Sequence, residues 1–281
     1  MKRNLAILIP AIIISFALLV ASLALYIATP KEIEITEIIQ TEVATFTIQT
    51  EMADVTEEQK ETIMTVNEPQ TEVATELDVV APKQMLYLLS QNGNTVEDLQ
   101  QLGCSQLVTV NSSGSYAQID FYQLDGCNWI LDEGLSCSGY VGRNGVTEDM
   151  NEGGNASPKG LFSIGDAFYI YNAPVTNLQT FHITNDTYWI DDPNSVYYNK
   201  RIEGTDNKDW NSAEHMIDYT TAYEYGFVIN YNIEAIYNAG SAIFFHVSYN
   251  PTAGCVGTDR EHVMSYLAKL NALNNPYILI L

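Results

Sequence analysis

The sequence predicts a mainly β domain that follows a membrane-spanning segment and a disordered acidic linker. Three observations carry this prediction. The last two thirds of the chain consist of short apolar runs separated by Ser, Gly and Asp, which is typical of strands and turns. The 281 residues include 18 Tyr and 17 Gly, a composition unlike that of a helical bundle. A long uncharged apolar run lies near the N-terminus.

The charge of the chain excludes two classes of partner. There are 35 Asp and Glu against 12 Lys and Arg, so the formal net charge is −23. Proteins that bind nucleic acid rely on Lys and Arg to contact phosphates, and docking onto anionic lipid headgroups also requires basic clusters. We therefore expect neither nucleic acid nor an anionic lipid surface as a partner.

The first 30 residues predict a single-pass membrane anchor. Met1-Lys2-Arg3 precede an uncharged run from Leu5 to Ala28, and ~24 residues in a helix cross the ~30 Å hydrocarbon core of a lipid bilayer. The basic start places the N-terminus in the cytoplasm and the bulk of the chain outside it. A cleaved signal peptide is the alternative, because Ala21 to Ala24 contains a small-x-small pattern. The rest of the chain is extracytoplasmic in both cases.

Residues 31–83 predict an acidic linker. Glu, Thr, Ile and Val dominate this stretch, its only aromatic residue is Phe46, and the pentapeptide TEVAT occurs at 41–45 and again at 71–75. Such a segment buries too little apolar surface to offset the entropy lost on ordering. We expect a disordered tether that holds the following domain away from the membrane.

The remaining chain divides into a helical lead-in over 84–104 and a β-rich domain over 105–281. A helix is expected to start near Thr95, with Thr95 or Asn94 as its cap, since acidic residues occupy the first turn. A second helix is predicted from Glu261 to Leu270, where apolar residues recur at three- and four-residue steps. The final strand is expected to lie inside a sheet. The runs that predict strands are 107–110, 119–122, 129–131, 161–164, 227–229, 241–245 and 277–281.

Four cysteines raise the question of disulfides, because exported thiols tend to oxidise. Cys127 and Cys137 flank a predicted hairpin and are one candidate bridge, while Cys104 competes for either partner. Two disulfides that pair all four cysteines are a further alternative. Otherwise Cys255 remains an odd thiol.

His246 and Cys255 are the candidate catalytic pair. An apolar strand ends at His246, a turn around Pro251 follows, and Cys255 precedes the second helix. This arrangement is expected to bring the imidazole within hydrogen-bond reach of the thiol and to form a thiolate–imidazolium pair, a competent nucleophile. The N–H groups of Gly254 and Cys255 are the candidate oxyanion hole. The alternatives are a structural histidine at a strand end and a small buried cysteine.

These residues resemble the catalytic motif of the L,D-transpeptidases, bacterial cell-wall enzymes with a YkuD-type catalytic domain. The family pattern is a His, a variable loop and then Ser/Thr-x-Gly-Cys-Val/Ile, and this chain has His246 followed by Thr252-x-Gly254-Cys255-Val256. The likeness covers about 105–281 and is similar to a membrane-anchored subgroup from Gram-positive bacteria. The further sequences that carry it are GRNGV at 142–146, EG at 152–153, SPKGLF at 157–162, WIDD at 189–192, Ser195, YN at 198–199, SAEH at 212–215 and NYN at 230–232.

The resemblance implies an L,D-transpeptidase-like β-sandwich with a short helix after the catalytic Cys255. It also implies that Cys255 attacks the carbonyl between the third, diamino residue and the D-Ala at position four of a peptidoglycan stem peptide. His246 would act as acid and base, oriented by a backbone carbonyl. An amine of a neighbouring stem would then resolve the thioester into a 3→3 cross-link, without a cofactor. The alternatives are an L,D-carboxypeptidase that uses water, and a non-catalytic wall-binding module in which Cys255 is disulfide-bonded.

The chain departs from the family pattern around the cysteine. The commonest form has a His before the Gly and an Arg after Cys-Val, where this chain has Ala253 and Gly257. If that Arg holds a substrate carboxylate, another arginine must take over the role. The candidates for substrate binding are Arg143, Thr252, Tyr225 and Tyr249, with Arg201, Arg260, Tyr223 and Tyr231 as further possibilities and ordinary packing as the alternative for each tyrosine.

Other ionisable residues predict structural roles. No metal is expected, because His182, His215 and His262 lack metal-ligand spacing. Asp191 and Asp192 are adjacent in a predicted strand and therefore point to opposite faces, which favours a turn or structural role over acid/base chemistry.

Overall fold

Strands are the main regular structure in residues 79–281, the part of the chain that the computed structural model describes. The predicted membrane anchor and most of the predicted linker, residues 1–78, lie outside the described residues. Within residues 79–281, no helix is both long and apolar enough to cross a membrane. The prediction of a mainly β domain is confirmed.

The helices of the described chain are α1 (Lys83–Gln91), α2 (Val96–Gln101) and α3 (Arg260–Lys269). The Thr95 hydroxyl accepts a hydrogen bond from the Asp98 N–H, and the Asp98 carboxylate accepts one from the Thr95 N–H. This capping box confirms the predicted start of α2. Asp259 caps α3, which confirms the second predicted helix. No side chain caps α1 after Pro82, so its start carries no sequence signal.

Fifteen strands account for most of the regular structure in the described chain. Their bounds are β1 (Gln106–Ser113), β2 (Tyr116–Asp125), β3 (Asn128–Leu131), β4 (Cys137–Tyr140), β5 (Val146–Thr147), β6 (Ser157–Pro158), β7 (Gly160–Tyr169), β8 (Thr180–His182), β9 (Thr187–Trp189), β10 (Arg201–Glu203), β11 (Glu214–His215), β12 (Tyr225–Ile229), β13 (Phe244–Val247), β14 (Val256–Thr258) and β15 (Tyr277–Ile280). Each run predicted as a strand overlaps one of these. The run 241–245 becomes a strand only at Phe244, because Ala242 has a φ of 52°, which interrupts extended backbone.

The main sheet closes on itself. Its hydrogen-bonded order is β1-β15-β7-β12-β13-β14-β4-β2, and β2 pairs back with β1, so these eight strands form a closed circuit. The β-sandwich that the resemblance implies would have two separate sheets. Hydrogen bonds here join the main strands into one sheet. β3 and β8 pair with β2 and β7 outside the circuit, and β10-β9-β11 and β5-β6 form two small sheets. β15 lies between β1 and β7, as predicted for the final strand.

The strands β12, β13 and β14 separate two apolar cores. On one face, Phe227, Phe245 and Val256 pack with Val263 and Leu267 of α3; we call this the α3-side core. The other face carries the pocket-side core, which includes Phe168, Trp189, Met216, Phe244 and Cys255. Successive residues of β13 therefore alternate between the two cores, as the pleat of a strand requires.

A third, N-terminal core lies under the first two helices. Met85, Leu88 and Leu89 of α1 pack with Leu107 and Leu279 of the main sheet. Val79 and Ala81 also pack there, and Val80 forms a bridge with Asn128. The packed domain therefore begins before residue 84, inside the stretch that the sequence assigns to the linker.

The four cysteines are free thiols. The candidate Cys127–Cys137 bridge is wrong, because the two residues lie at opposite ends of β2. Cys137 pairs with Ile119, whereas Cys127 lies in the turn beyond Asp125, and the six residues between those positions extend about 20 Å at ~3.3 Å per residue. The alternative with two disulfides is also wrong. Cys104 is buried in the N-terminal core, Cys137 in the α3-side core and Cys255 in the pocket-side core, so these three cysteines do not pair with one another.

Candidate active site

Two adjacent strands bring His246 and Cys255 to one face of the main sheet. β13 and β14 run parallel, with Phe245 opposite Val256 and His246 opposite Gly257. Cys255 immediately precedes β14, so the same register places it opposite Phe244. Residues two apart in a strand share a face, and His246 therefore lies on the face of Phe244, where Cys255 also packs.

A pocket of about 340 Å³ lies on this face and is lined by both His246 and Cys255. Thr252 and Gly254 line it too, and so does Tyr223. The two predicted catalytic residues, the predicted loop residues and one of the candidate tyrosines therefore line the same pocket. The other lining residues used below are Glu152, Asp191, Glu214, Ser241 and Ala242.

The Cys255 thiol is held by two backbone groups. The Phe244 N–H donates a hydrogen bond to Sγ at 3.3 Å, and the thiol donates to the Ala242 carbonyl at 3.3 Å. Burial raises the pKa of Cys255 well above its usual value, the nearby Glu214 carboxyl adds to the rise, and the Phe244 N–H opposes it. The resting sulfur is therefore a protonated thiol.

The His246 ring is fixed by a backbone carbonyl and an aromatic ring. Nδ1 lies 2.8 Å from the Val247 carbonyl, so Nδ1 carries the proton and Nε2 presents its lone pair. The Tyr223 ring stands edge-on to the imidazole, with centroids 5.4 Å apart. Burial lowers the pKa of His246 to about 4, although the Val247 carbonyl works in the opposite direction. The imidazole is therefore neutral at physiological pH.

The expected thiolate–imidazolium pair is corrected by this geometry. Thiol and imidazole are both neutral in the resting pocket, and no hydrogen bond joins them among the described residues, because the thiol donates to Ala242 instead. Neutral His246 with a free Nε2 is suited to act as a general base that removes the thiol proton during attack on a substrate.

Buried hydroxyls fix the loop that carries Cys255. The Ser157 hydroxyl donates to the Gly254 carbonyl at 2.5 Å and accepts from the Gly142 N–H at 2.9 Å. The Thr252 hydroxyl donates to the Cys255 carbonyl at 2.6 Å. A Cβ on Gly142 would lie 2.6 Å from backbone atoms of Ala156, so this approach requires glycine. The role of Thr252 in the structure is thus to hold the loop.

The expected oxyanion hole is only half present. The Gly254 N–H donates to the Thr252 hydroxyl at 3.1 Å, so it is occupied and does not point to a substrate. The Cys255 N–H makes no hydrogen bond among the described residues. We therefore correct the pair to a single candidate donor, the Cys255 N–H.

Two of the predicted substrate-binding tyrosines lie away from the pocket. Tyr225 is buried in the α3-side core with the Arg260 guanidinium over its ring, because its position on β12 directs it to the face opposite His246. Tyr249 is 56% exposed and does not line the pocket. Tyr231 bonds to the Ala239 carbonyl and packs on Phe162. Tyr223 alone of the four lines the pocket.

Arg143 contacts Thr252, which lines the pocket, whereas Arg201 and Arg260 contact other residues. The Arg143 N–H donates to the Thr252 carbonyl at 2.9 Å, and its Nε lies 3.4 Å from the same oxygen. Arg260 pairs with Glu224 at 2.8 Å, and Arg201 lies over the Phe181 ring. Arg143 makes no ion pair with any described residue and remains the candidate for binding a substrate carboxylate.

The sequence does not identify three carboxylates of the pocket as reactive groups. Glu152, Asp191 and Glu214 line the pocket together with Cys255. The Tyr223 hydroxyl donates to Glu214, and burial raises the pKa of this carboxyl to about 7 despite that bond. Asp192 holds a turn by accepting the N–H groups of Asn194 and Asn211, as predicted, while its neighbour Asp191 faces the pocket.

The three histidines outside the pocket contact neighbouring groups of the protein. Among residues 79–281, no three His, Cys, Asp or Glu side chains are grouped so as to hold a metal ion. His182 stacks on Tyr169, and His262 bonds to Asp259 at the start of α3. His215 bonds to Asp218 and stacks on Tyr188.

Comparison with known proteins adds no assignment. No protein-family model matches this chain, and no curated protein matches it.

Proposed function

We propose that the chain is a peptidoglycan L,D-transpeptidase, a cysteine acyltransferase that forms 3→3 cross-links. The observation that carries this proposal is the shared pocket of His246 and Cys255, which neighbouring strands present on one sheet face. The imidazole held by the Val247 carbonyl, with Nε2 free, is the arrangement that the resemblance to this family leads us to expect. The short helix α3 after Cys255 is a second common feature.

Acylation begins with a proton transfer inside the pocket. Nε2 of His246 takes the proton from Sγ of Cys255, and the thiolate attacks the carbonyl between the third residue and D-Ala of a stem peptide. The Cys255 N–H stabilises the negative oxygen of the tetrahedral intermediate. His246 then returns the proton to the leaving amine, the C–N bond breaks, and a thioester to Cys255 remains. Arg143, which contacts the pocket residue Thr252, is our candidate for binding the carboxylate of D-Ala.

Deacylation decides between two activities of the same residues. An amine of a neighbouring stem attacks the thioester, His246 takes its proton, and Sγ leaves as the thiol, which yields a cross-link. Attack by water would instead release a tripeptide and make the protein an L,D-carboxypeptidase. A non-catalytic wall-binding module with an oxidised Cys255 is a third candidate, and the free thiol that lines one pocket with a neutral imidazole favours the two enzymes over it.

The proposed setting is the outer face of a cell membrane. The apolar run within residues 1–30 would anchor the chain in the lipid bilayer as a single pass, and the catalytic domain would act on the wall outside the cytoplasm. Its partners are then stem peptides as donor and acceptor, and the net charge of −23 argues against nucleic acid.

Incubation with disaccharide tetrapeptides followed by mass spectrometry tests this function. The native chain is expected to give 3→3 dimers and a covalent adduct on Cys255, whereas Cys255→Ala should give neither. Cys137→Ala is the matched control, because Cys137 is also buried but lies in the α3-side core. Tripeptide without dimers would assign the carboxypeptidase, and no adduct on Cys255 would exclude both enzymes.

A further inference from the structure

Asn199 does not line the catalytic pocket, but its side chain joins three separate segments of the chain. Its Oδ1 accepts the Ala242 N–H at 3.0 Å and the Trp189 indole N–H at 2.9 Å. Its Nδ2 donates to the carbonyls of Tyr231 and Asn232, each at 2.9 Å. The two lone pairs and the two N–H groups of the amide are therefore all used inside the protein.

The backbone that Asn199 contacts at Ala242 has an unfavourable conformation. Ala242 has a φ of 52°, in the left-handed region that an alanine seldom adopts. The two residues before it are fixed as well. The Gly240 N–H donates to the Tyr198 hydroxyl at 3.0 Å, and the Ser241 hydroxyl donates to a carboxylate of the pocket at 2.8 Å. A residue keeps such a conformation where its surroundings impose it, and these positions concentrate at functional sites.

The Ala242 carbonyl is the group that this conformation presents to the sulfur. It accepts the hydrogen bond of the Cys255 thiol at 3.3 Å, and the Phe244 N–H donates to the same Sγ at 3.3 Å. Sγ is thus held at two points, at one as a donor and at the other as an acceptor. All three residues are buried, so water does not compete for these contacts.

The Ala242 carbonyl is restrained from both sides. Asn199 binds the N–H that precedes it, and the next carbonyl along the chain, that of Ile243, accepts the Ile229 N–H at 3.0 Å. We propose that Asn199 is a positioning residue for the reaction, which acts by keeping the Ala242 carbonyl against the thiol of Cys255. This inference rests on the proposed function, in which Cys255 is the nucleophile.

This placement fixes the sulfur and leaves only its proton to move. The thiol proton rests on the Ala242 carbonyl, and rotation about the Cβ–Sγ bond turns it to Nε2 of His246, which accepts it as the sulfur attacks. Sγ keeps the Phe244 N–H as a donor throughout, and a hydrogen bond to the charged form stabilises the thiolate.

Loss of the Asn199 side chain would release the sulfur. The Ala242 N–H would have no partner, and the left-handed backbone would relax and take its carbonyl away from Sγ. The thiol of Cys255 would then sample several orientations, of which fewer lead to attack.

The S–H stretching vibration of Cys255 measures this contact without any substrate. Raman spectra of the full-length protein show S–H bands in a region where other protein groups do not contribute. Subtraction of the spectrum of Cys255→Ala isolates the Cys255 band from those of the other cysteines, since the chain has 4 in all. A thiol that donates a hydrogen bond vibrates at a lower frequency than a free thiol, so the band reports whether the Ala242 carbonyl still accepts its proton.

Asn199→Gly removes the whole side chain and suits the backbone, because Asn199 has a φ of 54° and glycine adopts such a φ readily. We expect the Cys255 band to move to higher frequency, toward that of a free thiol. The rate of adduct formation on Cys255 at saturating stem tetrapeptide should fall about tenfold or more. KM should change by less than about twofold, because Asn199 does not line the pocket.

Asn199→Asp is the conservative variant, since it keeps the oxygen that accepts the Ala242 N–H and removes only the Nδ2 donors. The Cys255 band should stay at its native frequency, and the adduct rate should exceed that of Asn199→Gly. If Asn199→Gly does not fold, the band of the Asp variant decides, because a shift to higher frequency there contradicts the proposal and a native band supports it.

Asn275→Gly is the matched control. Asn275 is also a left-handed asparagine, with a φ of 42°, and its side chain donates to the Leu102 carbonyl outside the pocket. This variant should leave both the Cys255 band and the adduct rate unchanged.

Several results would overturn the inference. An unchanged band in Asn199→Gly, with or without a lower rate, would mean that the carbonyl holds the thiol without Asn199. A shifted band with a native rate would mean that the contact does not serve the reaction. An equal shift in Asn199→Asp would assign the effect to the Nδ2 bonds instead. The band needs no substrate, so a native chain that forms no adduct on Cys255 while the variants shift the band as expected would overturn the proposed function and leave the contact between Asn199 and the thiol established.

Discussion

The side chains of His246 and Glu214 titrate away from their usual values because both are buried in one pocket. Burial lowers the pKa of His246 from 6.5 to about 4 and raises that of Glu214 from 4.5 to about 7. Burial disfavours the charged form in each case, so the directions are opposite for a base and an acid. Their effects on stability therefore oppose each other over almost the same range of pH.

Single variants should separate these two contributions. Between pH 4 and 6.5 the unfolded chain binds more protons at His246 than the folded chain does. The contribution of His246 therefore lowers the free energy of unfolding as the pH falls, by about 2 kcal/mol from pH 6.5 to 5. Glu214 has the raised pKa, binds more protons when folded between pH 4.5 and 7, and adds stability as the pH falls. Urea unfolding at pH 7, 6 and 5 should show that His246→Gln gains stability relative to the native chain on acidification and Glu214→Gln loses it. Parallel curves for all three proteins would contradict this account.

At the scale of elements, the loop before β14 depends on β6 for its shape. Ser157 is fully buried on β6, and its hydroxyl joins the Gly254 carbonyl to the Gly142 N–H. Three segments that are distant in sequence meet at this hydroxyl. The position of Cys255 is thus set by a tertiary contact as much as by the strand that follows it.

Replacement of Ser157 by Ala should release this loop. Two buried backbone groups would lose their partner, at a cost of about 2–3 kcal/mol in the free energy of unfolding. Because Cys255 follows Gly254 directly, transfer activity should fall as well, by about tenfold or more. Ser265→Ala, which removes an exposed hydroxyl on α3, should change stability by less than about 0.5 kcal/mol. A Ser157→Ala protein with native stability and activity would show that the loop holds its shape without this bond.

Local signals predicted the elements better than the pocket. The capping box at Thr95 and the apolar spacing of α3 are contained within a few residues, and the structure has both helices where the sequence places them. The strand predicted at 241–245 starts late because Ala242 adopts a left-handed conformation. An alanine in a sequence does not predict that conformation. The stretch 79–83 packs on the domain although its composition continues that of the linker.

The pocket could be predicted only for residues that are close in sequence. His246, Thr252, Gly254 and Cys255 lie within ten positions of one another, and all line it. The carboxylates come from three segments that the closed sheet and the small sheet bring together, and no local pattern distinguishes them from 32 other acidic residues, since the chain has 35 in all. Tyr225 illustrates the reverse case, because one step along β12 decides which face a side chain occupies.

At the scale of the whole molecule, the N-terminal core ties the two leading helices to the main sheet. Met85, Leu88 and Leu89 are almost completely buried against Leu107 and Leu279. β1 and β15, which carry Leu107 and Leu279, also belong to the closed circuit of strands. Residues 79–104 are therefore part of the folding unit that holds the pocket, rather than a separable lead-in.

A fragment that starts at the predicted domain boundary should consequently fail to fold stably. Burial of each of the three α1 side chains contributes about 1.5–3 kcal/mol, which together approaches the whole stability of a typical domain. Thermal unfolding followed by circular dichroism should show one cooperative transition for residues 79–281. Residues 105–281 should show no cooperative transition near that temperature. In the longer fragment, Leu88→Ala should lower the free energy of unfolding by about 2–5 kcal/mol, whereas Leu86→Ala, on the exposed side of α1, should change it by less than about 1 kcal/mol. Equal stability of the two fragments would mean that the closed circuit of strands needs no support from the helices.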